Sequence, residues 1–335
     1  MTRLKIAILG AGSIGCFVGG AWAANGCDVT LVGRPRTGEE LERYGLHVSD
    51  YSGWLASVPS ERIKFSTDPA ALGGADLVVL SVKSTGTEAA AADLWHAPAD
   101  TPIISLQNGV SNADRLRALL PGRTVLSGMV PYNVAHLGEG RWHRGTSGAL
   151  IVERSPATLR LADAAGTGPA AIRLSDAMPE VLWGKLLINL NNAVNALSGK
   201  PLLAQLRERG YRQVVAASQR EALSVLKRAG LSPAKVGALP PRLLPLAFAA
   251  PDFLFNRLLL KGHEVDEKAR TSMADDFALN RPTEIDYLNG EVVRLAGALG
   301  MLAPVNAAIV ALVHAAERGG TRDWSATQLK EAVLG

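Results

Sequence analysis

The sequence predicts an α/β domain built on a mostly parallel sheet, followed by an all-α domain. Three observations carry this. Short apolar runs alternate with helical stretches over the first half of the chain. Such alternation with short connections implies parallel strands joined by right-handed crossovers. Beyond about Asp176 the strand signals vanish and helical periodicity dominates. We place one domain over residues 1–172 and the other over 173–335, with the Ala/Gly/Pro/Thr-rich stretch 155–170 as the boundary candidate.

Residues 4–9 (LKIAIL) read as a buried strand entering a glycine loop, and 14–25 as the helix that follows. Asp28 to Val32 makes a second strand, and Glu39 to Tyr44 a helix. His47 to Phe65 breaks at Ser52-Gly53 and Pro59, which predicts small strands and a hairpin. Asp68-Pro69 is a helix start, with proline at the first helical position. Leu77 to Val82 is a buried strand, followed by a helix over Glu88 to Leu94. Pro102 to Leu106 is a strand ending in Gln-Asn-Gly, then come a helix from Ser111 and a strand near Thr124 to Val130. The Gly-rich segment 138–148 carries turns between late strands. Helical periodicity covers Pro179 to Leu197, Gly210 to Ala229, the stretches after Ser272 and Thr283, and Pro304 to Arg318. Pro-rich 232–251 reads as a connector.

Length and composition narrow the function. The 335 residues are too many for one ordinary domain, and 47% apolar content suffices for two packed cores. A formal charge of +4 is mild and spread out, without the Lys/Arg block that tracks a phosphate backbone, so nucleic acid is disfavoured as a partner. A slightly basic balance suits small anionic ligands. Cys16 and Cys27 make neither a disulfide framework nor a metal site, which fits a reducing cytoplasm. The run Ile6 to Cys27 is uncharged and mimics a membrane segment, but its glycines weaken a spanning helix and no membrane association is expected.

Gly10-Ala11-Gly12-Ser13-Ile14-Gly15 matches G-x-G-x-x-G between a buried strand and a helix, the context that gives this pattern its meaning as a dinucleotide site. The first glycine permits a tight turn, and the second lets the backbone approach the pyrophosphate. The third allows close helix–strand packing, and the helix N-terminus attracts the anion. NAD sites place an acid at the end of the second strand. This chain has Gly33-Arg34-Pro35-Arg36 there, and Asp28 lies at the strand's other end. A guanidinium at Arg34 can pair a 2′-phosphate, which favours NADP(H).

Lys83 follows LVVLSV directly, and Asn108 follows PIISL with one residue between. Both stand just outside strand carboxyl ends, where ligands bind in open α/β sheets. A loop lysine and an Asn-Gly turn residue are the plain alternatives. In the helix 181–197, Lys185, Asn189 and Asn192 fall within an arc of about 60° at 100° per residue. Amides and an ammonium on an apolar helix need partners, and a carboxylate and a ketone would supply them; a solvated polar face is the alternative. Ser272 and Asp275 read as a capping box, and Glu284 as part of a first helical turn after Thr283.

With these residues in view, the chain resembles the ketopantoate reductase (2-dehydropantoate 2-reductase) family over essentially its whole length. The matching pieces are GAGSIG, Arg34 after the second strand, Lys83 in SVK, QNG at 107–109, WGKLLIN at 183–189, and SM…RPTEIDYLNG over 272–290. The resemblance implies a Rossmann-like dinucleotide-binding domain plus an all-α domain of the 6-phosphogluconate-dehydrogenase-like kind, with the active site between them. It implies NADPH as hydride donor and reduction of ketopantoate to pantoate, on the route to pantothenate. Carried over, Lys185 is the general acid and Glu284 binds the substrate hydroxyl and orients the lysine. Asn108 helps hold cofactor and substrate, Asn189 and Ser272 contact substrate, and Lys83 lies at the nicotinamide end. Some members carry a second helix asparagine where this chain has Ala193, which leaves Asn192 and Asn195 as substitutes. The rival readings are a paralogue reducing another small 2-keto acid, and a non-catalytic NADPH-binding sensor. A homodimer is the expected assembly, and no metal is expected.

Overall fold

The computed structural model describes residues 3–257 and 270–335. The chain forms two compact units, Met1–Met178 and Pro179–Gly335. In the first unit the order is β1 (Lys5–Leu9), α1 (Ser13–Ala24), β2 (Asp28–Val32), α2 (Pro35–Tyr44), β3 (Leu46–Asp50), β4 (Leu55–Val58), β5 (Lys64–Ser66) and β6 (Leu77–Leu80). There follow α3 (Thr87–Leu94), β7 (Ile103–Ser105), α4 (Asn112–Leu119), β8 (Val125–Met129), β9 (Val134–Gly138), β10 (Arg141–Arg144), β11 (Leu150–Glu153), α5 (Pro156–Ala165) and β12 (Ile172–Ser175).

The large sheet runs β12-β11-β8-β7-β6-β1-β2-β5. From β5 to β8 every pairing is parallel, while β11 joins β8 antiparallel. β1 explains the two cores. Successive side chains of a strand point to opposite faces, so Ile6 and Ile8 enter one cluster with Phe17 and Trp22. Ala7 and Leu9 enter another with Val78, Leu80 and Leu116. Burial on both faces is why β1, β6 and β7 read as continuous apolar runs.

A second sheet, β4-β3-β10-β9, packs on α1, which also touches β2. Covered from two sides, α1 is apolar nearly all round, which accounts for the uncharged run Ile6 to Cys27. Among the described residues no helix is long and apolar enough to cross a membrane.

Several expectations need correction. α2 begins at Pro35, not Glu39, because Arg34 takes the extended N-cap geometry and proline fits the first turn. Asp68-Pro69 opens a 3₁₀ helix (Pro69–Gly74), with the Asp68 side chain accepting from Ala70 N. Segment 138–148 carries turns between late strands as expected, with β10 itself lying inside it. Stretch 155–170 is not the boundary: Ser155 and Thr158 form a capping box that starts α5 within the first unit. The units divide after Met178, not at 172/173, because residues 172–175 add β12 to the sheet beside β11.

In the second unit come α6 (Met178–Asn189), α7 (Asn191–Ser198), α8 (Leu202–Arg207), α9 (Arg209–Arg228), α10 (Leu244–Ala249), α11 (Asp252–Phe255), α12 (Ser272–Ala278), α13 (Asn289–Ala298), α14 (Pro304–Glu317) and α15 (Ala326–Leu334). Their apolar stripes meet in one core around Val194, Leu197, Tyr211, Val215, Phe277, Ile309 and Val313. Buried Arg212 of α9 donates to Phe248 O (3.0 Å) and Ala250 O (2.8 Å) and pairs with Asp252, so the Pro-rich stretch is fastened down rather than a bare connector. The expected helix 181–197 is interrupted at Leu190, which keeps helical dihedrals (φ −58°, ψ −21°). Thr271, not Ser272, caps α12. It has the extended backbone a cap needs (φ −82°, ψ 158°) and its side chain accepts from Ala274 N.

Candidate functional site

The glycine turn lies at the carboxyl end of β1. Gly10 has φ +109°, and Gly10 N and Ala11 N both donate to Val32 O at 2.9 and 3.0 Å, tying the turn to the end of β2. A Cβ on Gly15 would lie 2.2 Å from Gly10 O, so this position requires glycine for the helix to sit so close. Over Gly12 the space is open, since among the described residues nothing beyond its own chain neighbours lies within 4 Å of where its Cβ would be. Among those residues no side chain caps the start of α1 and no acid stands in its first turn. Ser13 and Ile14 form that turn, half-buried. A bare helix N-terminus under open space fits a pyrophosphate.

Arg34 leaves the end of β2 exposed, as the N-cap of α2. Asp28, at the opposite end of β2, is held by Lys64 at 2.6 Å and so lies away from the turn. Lys83 follows β6, exposed, and Asn108 follows β7, half-buried. With β1, β2, β6 and β7 parallel, the glycine turn, Arg34, Lys83 and Asn108 all stand at one edge of the sheet.

A buried polar network fixes the last two. Ser84 Oγ donates to Asn108 O at 2.7 Å, and Asn112 Nδ2 reaches both Asn108 O and Ser84 Oγ. Gln107 Nε2 donates to Thr87 Oγ1 (2.8 Å) and to Lys83 O (3.4 Å), while its Oε1 accepts from Ser105 Oγ (3.0 Å). The backbones of Lys83 and Asn108 are thus locked to each other by side chains. The sequence reading missed Ser84, Thr87, Ser105 and Asn112.

In the second unit, Lys185 sits on α6 with Asn189 one turn further on the same face. The turn is pressed from outside: a Cβ on Gly184 would lie 2.2 Å from Ala234 O, and Ala234 N donates to Glu180 O at 2.8 Å. Burial pushes the Lys185 ammonium down from 10.5 to about 8. Asn189 is buried and Asn192 half-buried, and the interruption at Leu190 puts Asn192 on α7 instead of on a shared helix with Lys185.

Asn195 is wholly buried and engaged, its Nδ2 donating to Lys200 O (2.9 Å) and its Oδ1 accepting from Thr271 N (3.1 Å) and Thr271 Oγ1 (3.0 Å). Ala193 lies in the helical core. The Thr271 contact docks the start of α12 on α7, bringing exposed Ser272 to the helix that carries Asn192. Glu284 is 9% exposed and stands at the start of a 3₁₀ turn (Ile285–Tyr287), so it precedes the helix expected to contain it. Its neighbour Thr283 is anchored by Glu317, whose Oε1 accepts from Thr283 N at 2.8 Å.

The first unit thus carries a glycine turn at a bare helix N-terminus, and the second a buried lysine with a lowered pKa and Asn189 one turn along. The ketopantoate reductase PanE/ApbA family matches residues 6–156, and its C-terminal counterpart matches residues 177–317. The 2-dehydropantoate 2-reductase of Halobacterium salinarum is 27% identical, covering 95% of this chain and 100% of that protein. Its namesake in Pyrococcus horikoshii is 28% identical, over 95% and 99%. Among solved structures, a PanE/ApbA family ketopantoate reductase from Ralstonia eutropha is 32% identical with a TM-score of 0.79, covering 94% of this chain and 99% of that one. The chain belongs to the ketopantoate reductase family of NAD(P)-dependent oxidoreductases.

Proposed function

We propose that the protein reduces 2-dehydropantoate to pantoate with NADPH. The observation that carries the reading is Lys185, an ammonium with Asn189 one turn along on an apolar helix and a pKa brought to about 8 by burial. At pH 7 such a lysine stays about nine-tenths protonated, yet gives up its proton more readily than an ordinary one.

Bound NADPH would supply the hydride that the ketone carbon takes up. As the π pair moves onto oxygen, Lys185 stabilises the growing charge and delivers its proton there. Asn189, Asn192 and Ser272 hold the substrate's carboxylate and carbonyl, and Glu284 accepts from its hydroxyl and orients the lysine. The Gly10–Gly15 turn, with Ser13 and Ile14, receives the pyrophosphate. Arg34 pairs the 2′-phosphate, and Lys83 and Asn108 hold the nicotinamide end. Fixing the reacting groups supplies much of the rate. A cytoplasmic setting, which the two free cysteines favour, and a homodimer complete the reading.

Ketopantoate reduction followed by NADPH absorbance, with NADH in parallel, tests it. Turnover with NADPH well above NADH is expected, and no turnover with either removes the assignment. One observation favours a second reading, a paralogue for another branched 2-keto acid. Ala193 is in the core and Asn195 is consumed by Thr271, so of the two substitute amides only Asn192 is left. A panel of 2-keto acids separates the two: preference for another acid by ten-fold or more in kcat/KM selects the paralogue.

A further inference from the structure

Helix α2 presents Arg34 at its start, yet it is weakly anchored by apolar contact. Of its ten residues, all of them described, Leu41 is the one that is buried. What holds it instead is a polar clasp. Glu40 Oε1 accepts from His136 Nε2 at 2.7 Å and from Gly140 N at 2.8 Å, so one carboxylate oxygen joins α2 to β9 and to the β9–β10 turn. The His136 ring is stacked on Trp142 of β10, centroids 4.8 Å apart and planes 14° from parallel, and Trp142 is buried. A rigid small sheet therefore fixes the imidazole, and the imidazole fixes the helix.

Burial alone would raise the Glu40 carboxyl, but the Gly140 N–H, His136 and Arg36 outweigh it and hold it below its ordinary value. Arg36, in the first turn of α2 and exposed, thus shares Glu40 with His136. Without the imidazole, Glu40 is left to draw on Arg36 and the helix loses its tie to β9.

We propose that the Glu40–His136 clasp is the positioning device that holds the Arg34 end of α2 in place and thereby sets the preference for NADPH over NADH. It rests on the reading of Arg34 as the partner of the 2′-phosphate. His136 touches neither cofactor nor substrate in this account and acts through Glu40 alone.

The test is calorimetric titration of the full-length protein with NADPH and with NADH, alongside melting curves. His136→Leu is expected to raise the Kd for NADPH by about five-fold or more, a loss of about 1 kcal/mol, with the Kd for NADH moving less than about two-fold. His136→Gln keeps an N–H donor for Glu40 and is expected to restore the parent's ratio. Glu40→Ala cuts the clasp from the other side and covers the case of an unfolded His136→Leu. Removing an anion near Arg36 would by itself favour a phosphate, so selective NADPH loss in Glu40→Ala points to lost positioning. Equal loss of both cofactors in His136→Leu, or tighter NADPH binding in Glu40→Ala, overturns the proposal. Arg34→Ala separates the two layers. If it weakens NADPH selectively while the clasp variants do not, only the clasp falls; if it weakens both cofactors equally, the Arg34 reading itself falls.

Discussion

A lysine placed where burial disfavours its charge has two measurable consequences. The Lys185 pKa is lowered from 10.5 to about 8, so between those values the folded chain binds fewer protons than the unfolded one. Stability from this group therefore rises with pH across that window, and its cost is fully present below pH 8, on the order of 3 kcal/mol. Lys185→Met, which keeps an unbranched side chain without the charge, is expected to abolish turnover by at least about 1,000-fold while the melting temperature holds or rises at pH 7. A melting temperature that falls by several degrees would mean the ammonium stabilises the fold. In the parent, kcat/KM for reduction is expected to fall about ten-fold per pH unit above pH 8, as the acid is lost; a flat profile to pH 9.5 would rule out Lys185 as proton donor. At this scale the sequence is legible where spacing is local, as for Gly10, Gly12 and Gly15 or Lys185 and Asn189. It is silent where a partner lies far along the chain: Ser84 and Asn112 are 28 residues apart and meet only because β6 and β7 are neighbours. Ser272 is by type the better cap, and only the extended backbone at Thr271 decides between them.

At the scale of elements, α6 depends on a segment that reads as mere connector. Ala234 crosses α6 at Gly184, beside Lys185, with no room for a methyl group. Gly184→Val is expected to cost about 1–3 kcal/mol of stability by forcing the two backbones apart. It should also lower kcat more than it raises KM for the keto acid, because the displaced turn carries Lys185, the proposed acid. Urea unfolding and steady-state kinetics measure both, and unchanged values would mean the approach is looser than it stands here. The same Pro-rich stretch shows why a helix was missed. Pro245 lies in the first turn of α10, where proline pre-sets the helical φ and its lacking N–H is not needed. Read from the sequence, that proline looks like a breaker. α2 was read four residues short at its start, because Gly38 interrupts the helical pattern while Arg34 and Pro35 supply a start.

Across the whole molecule, each unit builds its own core, and the candidate residues divide between them: the glycine turn, Arg34, Lys83 and Asn108 in the first, Lys185, Asn189, Asn192, Ser272 and Glu284 in the second. The two-domain plan was legible because parallel-sheet strands and amphipathic helices have different periods. The dividing point was not, since residues 172–175 enter the sheet by pairing with β11, a contact no local pattern announces. The division of labour makes a paired prediction. A ligand that binds only the folded chain stabilises it by mass action, by about 2.7 kcal/mol at a concentration one hundred times its Kd. Arg34→Ala removes a charge-assisted contact to phosphate worth about 1.5–3 kcal/mol, so the NADPH Kd is expected to rise about ten- to one-hundred-fold. At that concentration its stabilisation by NADPH should then shrink to about 0.4–1.4 kcal/mol, while the smaller response to NADH is unchanged. Lys185→Met should keep the full NADPH response despite its lost turnover, because its cradle is intact. Thermal melts of the three proteins with each cofactor read this out directly. If the response of Arg34→Ala to NADH collapses along with that to NADPH, the arginine supports the cradle as a whole and does not read the 2′-phosphate.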